Sequence, residues 1–166
     1  MDTRILIKLL APGIVFLGVI GGIMASNWKD ASQGVHARDL QDRARTIYVA
    51  ATKAGFPADF APEGAAHTRS EYLKMLRDGG EFSHGQVDYV HIEDFFVYGI
   101  AGSDLPDDVF LTSANYEKGG QPTDSPILGQ NHVFVLMRDG TSFITTPGGE
   151  GWDKLQKGIR SERLEN

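Results

Sequence analysis

The chain has 166 residues, a formal net charge of −6 at pH 7 and no cysteine. The lack of cysteine excludes disulfides, thiol redox chemistry and zinc sites built on thiolates. The acidic balance disfavours nucleic-acid binding, because an acidic protein repels phosphate backbones. The length suffices for one domain of ordinary size after a short N-terminal segment.

The N-terminal segment of residues 9–26 (LLAPGIVFLGVIGGIMAS) is apolar and carries no charge. A helix that crosses a bilayer needs about 20 mainly apolar residues, and residues 5–7 extend the segment toward that length. Basic residues precede the segment, whereas the charges after it roughly cancel, so the positive-inside rule keeps the N-terminus in the cytoplasm. We therefore predict a cytoplasmic N-terminus at 1–8, a transmembrane helix at 9–26 and an exported head at 27–166.

Two other interpretations of this segment stay open. Its charged start, apolar centre and small residues near Ala25 and Ser26 also fit a signal peptide that is removed after export. Against this, Ile23 is larger than the residue such cleavage sites prefer three positions before the cut. A buried core helix of a soluble protein is the third interpretation, although Pro12 and several glycines are unusual in one.

Small residues at a spacing of four mark a candidate contact between membrane helices. Gly18 and Gly22 have this spacing, which lets two helices approach closely in a bilayer. Glycine is also frequent in membrane helices in general, so the pattern has an alternative explanation without any contact.

An amphipathic stretch follows the apolar segment. Its apolar stripe has helical spacing and consists of Leu40, Ala44, Ile47, Tyr48 and Ala51. The helix is predicted to end near Ala54, because Gly55 is a suitable C-cap and Pro57 follows. Only Gly34 interrupts the sequence before the stripe, so one long helix is predicted, half in lipid and half under the head.

The remaining chain is predicted to form one short helix, then a sheet and a terminal helix. Thr68 and Glu71 have the spacing of a capping box, and the helix that they start ends at Gly79 and Gly80. Runs of branched and aromatic residues predict strands at 87–92, 95–100, 109–112, 132–137 and 142–145. The turn at 138–140, with its Asp-Gly pair, predicts a hairpin between the last two. Residues 152–164 are predicted to form a short, charged helix.

This order of elements predicts an α+β fold in a single-pass membrane protein. Its long N-terminal helix, with a transmembrane half and an amphipathic half, is expected to pack on a small antiparallel β-sheet. A sheet with one apolar face needs a cover, and the stripe at residues 40–51 is the natural candidate.

Four local stretches occur in this order: residues 44–57 (ARTIYVAATKAGFP), 70–76 (SEYLKML), 128–129 (LG) and 131–143 (NHVFVLMRDGTSF). Together they resemble the type IV pilin and type II secretion pseudopilin family. The resemblance implies an N-terminal membrane helix that runs into an amphipathic helix, capped by a small antiparallel sheet. It also implies a structural role in assembly without enzymatic activity.

The chain departs from the family at the processing site. Family members carry a glycine before a Phe-Thr-Leu-type start, where prepilin peptidase cuts, and a glutamate five residues into the mature helix. Residues 5–17 contain no acid, and no Gly-Phe-Thr sequence is present. The resemblance therefore implies a degenerate pseudopilin that keeps its N-terminal segment.

No strong catalytic motif is present, and the candidate metal ligands are few. Asp104, Asp107 and Asp108 are candidate Ca²⁺ ligands, because carboxylates suit this ion and some pseudopilins bind it in a loop of the sheet. Their spacing is not that of an EF-hand, and capping of a proline turn explains them equally. His91 and Glu93 would share one strand face, a spacing that a metal site uses. No other cofactor is expected.

We therefore expect a non-enzymatic, membrane-anchored structural subunit in a bacterial inner membrane, with a cytoplasmic N-terminus and a periplasmic C-terminal domain. It would contact other protein subunits through the transmembrane helix and an acidic head, since residues 81–126 hold nine acids and one base. The alternatives are an accessory subunit of an unrelated integral membrane complex and an exported soluble binding protein with a cleaved signal peptide.

Overall fold

The computed structural model describes residues 34–54, 56, 68–99, 106–125, 127–160 and 163–165. The described residues from 37 onward form one compact unit. Its helices are α1 (34–54), α2 (Arg69–Asp78), α3 (His84–Val90) and α4 (Trp152–Gly158), and a 3₁₀ turn covers Ile92–Asp94. Its strands are β1 (Phe95–Val97), β2 (Val109–Ser113), β3 (Val133–Met137) and β4 (Ser142–Thr145). They pair antiparallel in the order β1-β2-β3-β4, a simple meander.

The prediction of a long helix with a transmembrane half is wrong, although the α+β class, the antiparallel sheet and the amphipathic helix packed on it are as predicted. Within the described part of the chain, no helix is long and apolar enough to cross a membrane. The physical reason lies in α1, whose outer face carries exposed charged side chains such as Arg38, Asp42 and Arg45. The segment 9–26, with Gly18 and Gly22, lies outside the described residues.

The apolar stripe of α1 packs on one face of the sheet. Leu40, Ala44, Ile47 and Ala51 are buried there, as their spacing predicts, and the equally buried Ala50 widens the stripe. Removing a side chain such as leucine or isoleucine from water contributes roughly 1.5–3 kcal/mol, so this face stabilises the unit more than helix propensity does. The partners on the sheet include Phe95, Phe110, Phe134 and Leu136.

A second apolar cluster fills the opposite face of the sheet. Leu155 of α4 and Ile159 pack there against Val133, Val135 and Met137. Because both faces are covered, every residue of β2 and β3 is buried. This explains why the β3 sequence is a continuous apolar run without the alternation of a half-exposed strand.

A β-bulge lets β2 serve both clusters. The register between β2 and β3 shifts between Val109 and Leu111, so Phe110 has no partner of its own. Val109 lies in the α4 cluster, whereas Phe110 and Leu111 both lie in the α1 cluster. The bulge therefore directs an additional large side chain toward α1, where Phe110 meets the Phe56 ring edge-on at 4.9 Å.

The strand predicted at 87–92 is wrong, because this segment forms α3 and the 3₁₀ turn. The Gln86 side chain accepts a hydrogen bond from the backbone N–H of Ser83 at 2.9 Å, the contact of a capping box, and this cap starts the helix. At the other end His91 adopts a left-handed conformation, with φ of 44°, and ends it. The local cap thus prevails over the β propensity of the branched residues.

The other local predictions differ in accuracy. The capping box at Thr68 and Glu71 is confirmed, and α2 ends at Gly79. The hairpin at 138–140 is confirmed, with Gly140 at φ of +86°. The terminal helix is shorter than predicted: α4 ends at Gly158, and the described residues 163–165 instead lie along the sheet and α2.

We expect Gly158→Ala to destabilise the unit by about 1–3 kcal/mol, because a new methyl group in a packed core causes strain. A Cβ at Gly158 would lie 2.8 Å from the carbonyl oxygen of Asp107 and 2.9 Å from Cγ2 of Val109. Urea unfolding of the purified protein measures this loss. The matched control is Gly85→Ala in α3, where a Cβ meets nothing within 4 Å. Equal stability of the two variants would contradict the close packing of α4 on β2.

Candidate functional site: an open sheet edge and its groove

The predicted calcium ligands do not come together in the described part of the chain. Asp104 lies outside it. Asp107 is exposed and pairs with Lys154 at 3.8 Å, whereas Asp108 is only 4% exposed and pairs with Arg160 at 3.3 Å. No group of three possible metal ligands occurs among the described residues. The two aspartates therefore tie the start of β2 to the α4 region, and calcium binding stays a prediction.

His91 and Glu93 do not share a strand face, because the predicted strand does not exist. The His91 ring nitrogen Nδ1 lies 3.2 Å from Oε1 of Glu93, and both side chains are exposed. The pKa of Glu93 lies below its usual value because its carboxylate accepts a hydrogen bond from its own backbone N–H; the His91 contacts lower it further. The pair is a local surface contact beside the 3₁₀ turn.

The β1 edge of the sheet is covered by the C-terminal segment. The backbone N–H of Leu164 donates to the carbonyl of Val97 at 2.8 Å, and the backbone of Arg163 forms an antiparallel β-bridge with Tyr98. The backbone N–H of Arg69 donates to the carbonyl of Glu165 at 2.9 Å, which fixes the segment to α2. This edge is therefore closed to other chains.

The buried side chain of Arg69 holds the start of β1 next to the C-terminal segment. Its buried guanidinium donates to the carbonyls of Glu93 at 3.1 Å and of Phe95 at 2.5 Å, so it holds the start of β1. Arg69 and Arg163 both lie over the Phe96 ring, at 5.5 Å and 4.3 Å from its centroid. Burial first, and the nearby Arg163 charge second, lower the pKa of Arg69. The cost of this buried charge is offset by its backbone acceptors.

The β4 edge has no such cover in the described part of the chain. The N–H of Met137 donates to the carbonyl of Thr141 at 2.8 Å, and hydrogen-bonded and non-hydrogen-bonded pairs alternate in an antiparallel ladder. The Phe143 pair with β3 is therefore hydrogen-bonded, whereas Ser142 and Ile144 direct their backbone N–H and C=O groups outward. The Ile144 side chain is also 42% exposed.

A groove runs between α1 and this open edge, and we call it the α1–β4 groove. Two adjoining recesses of about 360 and 250 Å³ form it. The α1 wall comprises Arg38, Gln41 and Arg45, and the sheet wall comprises Phe134, Ser142 and Ile144. Arg38 shares a recess with Ile144 and Arg45 shares one with Gly140, so α1 runs opposite to β4 along the groove.

Hydrogen bonds hold the two walls of the groove in place. The amide Nε2 of Gln41 donates to Oγ of Ser142 at 3.2 Å, and the Tyr48 hydroxyl donates to the carbonyl of Arg138 at 3.0 Å. Burial and the Asp139 charge raise the pKa of Tyr48, so its hydroxyl is a neutral donor at ordinary pH. The groove is thus a fixed feature between α1 and the hairpin.

The arginines along α1 divide into one structural residue and two free ones. Arg43 is 5% exposed and pairs with Asp39 at 3.1 Å and Asp94 at 2.5 Å, so it anchors α1 to the 3₁₀ turn. Arg38 and Arg45 are exposed and make no ion pair with any described residue. The groove is therefore lined by two arginines that have no ion-pair partner among the described residues, although the exposed Asp42 lies between them on α1.

Sequence reasoning missed this site, although part of its signal was present. The Asp-Gly turn predicted the hairpin, and the predicted apolar stripe of α1 does not include Arg45. Which strand of the sheet would remain an edge was not encoded in any local pattern. It follows from the meander order and from the C-terminal segment that covers β1.

Comparison of the chain with models of protein families, with curated proteins and with solved structures finds no match. Function is therefore inferred from the side chains and geometry described above.

We expect Gly140→Ala to destabilise the unit more than Gly119→Ala does. Both glycines have φ near +85°, at +86° and +83°, so alanine at either costs about 1–2 kcal/mol of backbone strain. Only at position 140 would the Cβ also crowd a side chain, at 3.1 Å from the Tyr48 hydroxyl oxygen. Thermal unfolding measures the difference, and identical losses would contradict close packing of α1 on the hairpin.

The stability that the Tyr48 hydroxyl contributes is expected to disappear at alkaline pH. Its pKa is raised above 10.0 in the folded state, so the contribution is complete below pH 10 and lost as pH rises through the folded pKa. Tyr48→Phe should therefore destabilise by about 1 kcal/mol at pH 7, a typical value for one hydrogen bond. In denaturant titrations above pH 10, the difference in unfolding free energy between wild type and variant should become smaller. A difference that does not change with pH would contradict a stabilising hydrogen bond from the Tyr48 hydroxyl.

Proposed function

We propose that this protein is a non-enzymatic structural subunit that acts by assembly with other proteins, with residues 37–166 as its docking unit. The observation that carries the proposal is the open β4 edge beside the α1–β4 groove. An uncovered strand edge with an exposed apolar side chain is a template for another chain, and proteins usually cover or blunt such edges. The same molecule does cover its β1 edge.

The sequence supports the same kind of role. The resemblance of residues 44–57, 70–76 and 131–143 to pseudopilins points to a protein that functions by contact with other subunits. Within the described residues, the His91 ring pairs with the Glu93 carboxylate, and the His132 ring pairs with the carbonyl of Gln130. Neither arrangement is that of an activated nucleophile.

We further propose attachment to a bacterial inner membrane, with the docking unit on the periplasmic side. The ground for this is the uncharged sequence of residues 9–26 and the basic residues before it. An accessory subunit of an unrelated membrane complex is the second candidate, and the missing glutamate and cleavage glycine favour it over a secretion filament.

Site-specific crosslinking in the native host tests the assembly role. A photoreactive amino acid at Ile144, on the open edge, should give discrete adducts with one or a few proteins. The same group at Tyr89, on α3, is the matched control, because the two side chains are equally exposed at 42%. Adducts from both positions alike, or from neither, would contradict docking at the β4 edge.

The identity of the crosslinked protein separates the two candidates. A secretion-system component would support the pseudopilin-like role, and a subunit of another integral complex would support the accessory role. Recovery of the protein in the soluble periplasmic fraction without about its first 25 residues would contradict membrane attachment, because a cleaved signal peptide has this length.

A further inference from the structure

We infer that the β4 edge binds an extended, carboxylate-bearing segment of another protein, which adds to the sheet as a fifth strand. This inference rests on the proposed assembly function and specifies the chemistry of the partner. Three features of the same site carry it: the outward backbone groups, the shape of the groove and the unpaired cations of α1.

The backbone of β4 supplies the first feature. Ser142 and Ile144 each direct one N–H and one C=O away from β3, a spacing that matches the repeat of an added strand. Strand addition obtains its affinity from these main-chain hydrogen bonds and its specificity from side-chain pockets. The molecule already uses this interaction at its other edge, where Leu164 donates to Val97 at 2.8 Å.

The groove supplies the second feature. Residues on β4 alternate between two faces, so Ser142 and Ile144 face α1 while Phe143 faces the α4 cluster. Every second side chain of an added strand would enter the α1–β4 groove and cover Ile144. The side chains between them would extend the opposite face beside Phe143, so an alternating sequence is required.

The charges supply the third feature. Arg38 and Arg45 lie seven residues, or about 10 Å, apart on α1, on one face and at opposite ends of the groove. Groove-facing residues of an added strand recur about every 7 Å, so two carboxylates within a short segment reach both guanidinium groups. Two acids of α1 lie near these arginines. Arg43 holds the Asp39 carboxylate at 3.1 Å, whereas Asp42 lies between the two arginines in sequence and makes no ion pair with any described residue. An added segment therefore has to place its carboxylates at the guanidinium groups and away from Asp42.

The same charges disfavour a second copy of this chain as the occupant. A two-fold pairing of β4 with β4 of another copy would bring the two arginines of each α1 close to those of the other. Like charges brought together across an interface weaken it. An acidic partner instead neutralises them, so the occupant is a different protein that presents carboxylates in an extended segment.

Binding of a synthetic peptide to the purified protein tests the inference. The probe is a blocked heptapeptide that alternates glutamate with valine (EVEVEVE), and its twin carries lysine at every charged position (KVKVKVK). We expect the acidic peptide to bind at least about tenfold more tightly at low salt and to weaken as salt screens the contact. Equal binding of the two peptides, or tighter binding of the lysine twin, would overturn the inference.

Three variants locate the binding. Replacing both arginines, as Arg38→Glu with Arg45→Glu, should weaken the acidic peptide by about tenfold or more. Lys74→Glu, an exposed change on α2, is the matched control and should leave binding unchanged. Ile144→Pro removes a backbone N–H that points outward and is not bonded to β3, so this variant should not bind the peptide. Unfolding curves and NMR spectra are used to check that each variant is folded. Unchanged binding in the first or third variant would overturn the site.

NMR and crosslinking together separate failure of this inference from failure of the proposed function. In the complex, the amide protons of Ser142 and Ile144 should become protected from exchange, whereas those in α4 should not change. No protection, together with specific adducts from position 144 in cells, would overturn strand addition and leave the assembly function intact. No adducts in cells would overturn the assembly function itself.

Discussion

The requirement that the rest of the fold depends on is the coverage of a sheet that is apolar on both faces. β2 and β3 bury every residue, so neither face tolerates water. Helix α1 covers one face with a stripe of small and branched side chains, and α4 covers the other. Polar contacts fix these helices in place: Arg43 joins α1 to the 3₁₀ turn, and Asp108 pairs with Arg160 beyond α4. The positions of α1 and α4 therefore follow from the two apolar faces of the sheet that they cover.

The helices cover the two faces of the sheet but not its edges, and the β1 and β4 edges differ. The β1 edge is closed by residues 163–165, with Arg69 holding the start of the strand from inside. The β4 edge is short, which limits indiscriminate pairing, and no described residue covers it beside the α1–β4 groove. This asymmetry gives the unit one surface suited to main-chain pairing, and charge then selects among partners through Arg38 and Arg45.

The charge distribution sharpens that selection. The protein as a whole is acidic, and nine of its 22 acids lie between residues 81 and 126, where there is one Lys or Arg. An acidic partner is therefore repelled by this acidic stretch and attracted by the two arginines at the groove. Selection of this kind combines a favourable contact with unfavourable alternatives, which is how specificity between similar partners arises. The fixed walls of the groove reduce the ordering cost of binding, because Gln41 and Tyr48 already hold α1 to the hairpin.

The sequence by itself determined the features that depend on neighbouring residues. It was sufficient for the stripe of α1, the cap at Thr68, the hairpin at 138–140 and the approximate positions of the four strands. It failed at residues 87–92, where a capping box prevailed over β propensity, and in its expectation of a long helix with a transmembrane half. Only the tertiary structure decided which edge the C-terminal segment covers and which cations have no ion-pair partner among the described residues. These outcomes depend on contacts between residues far apart in the chain, and no local pattern encodes them.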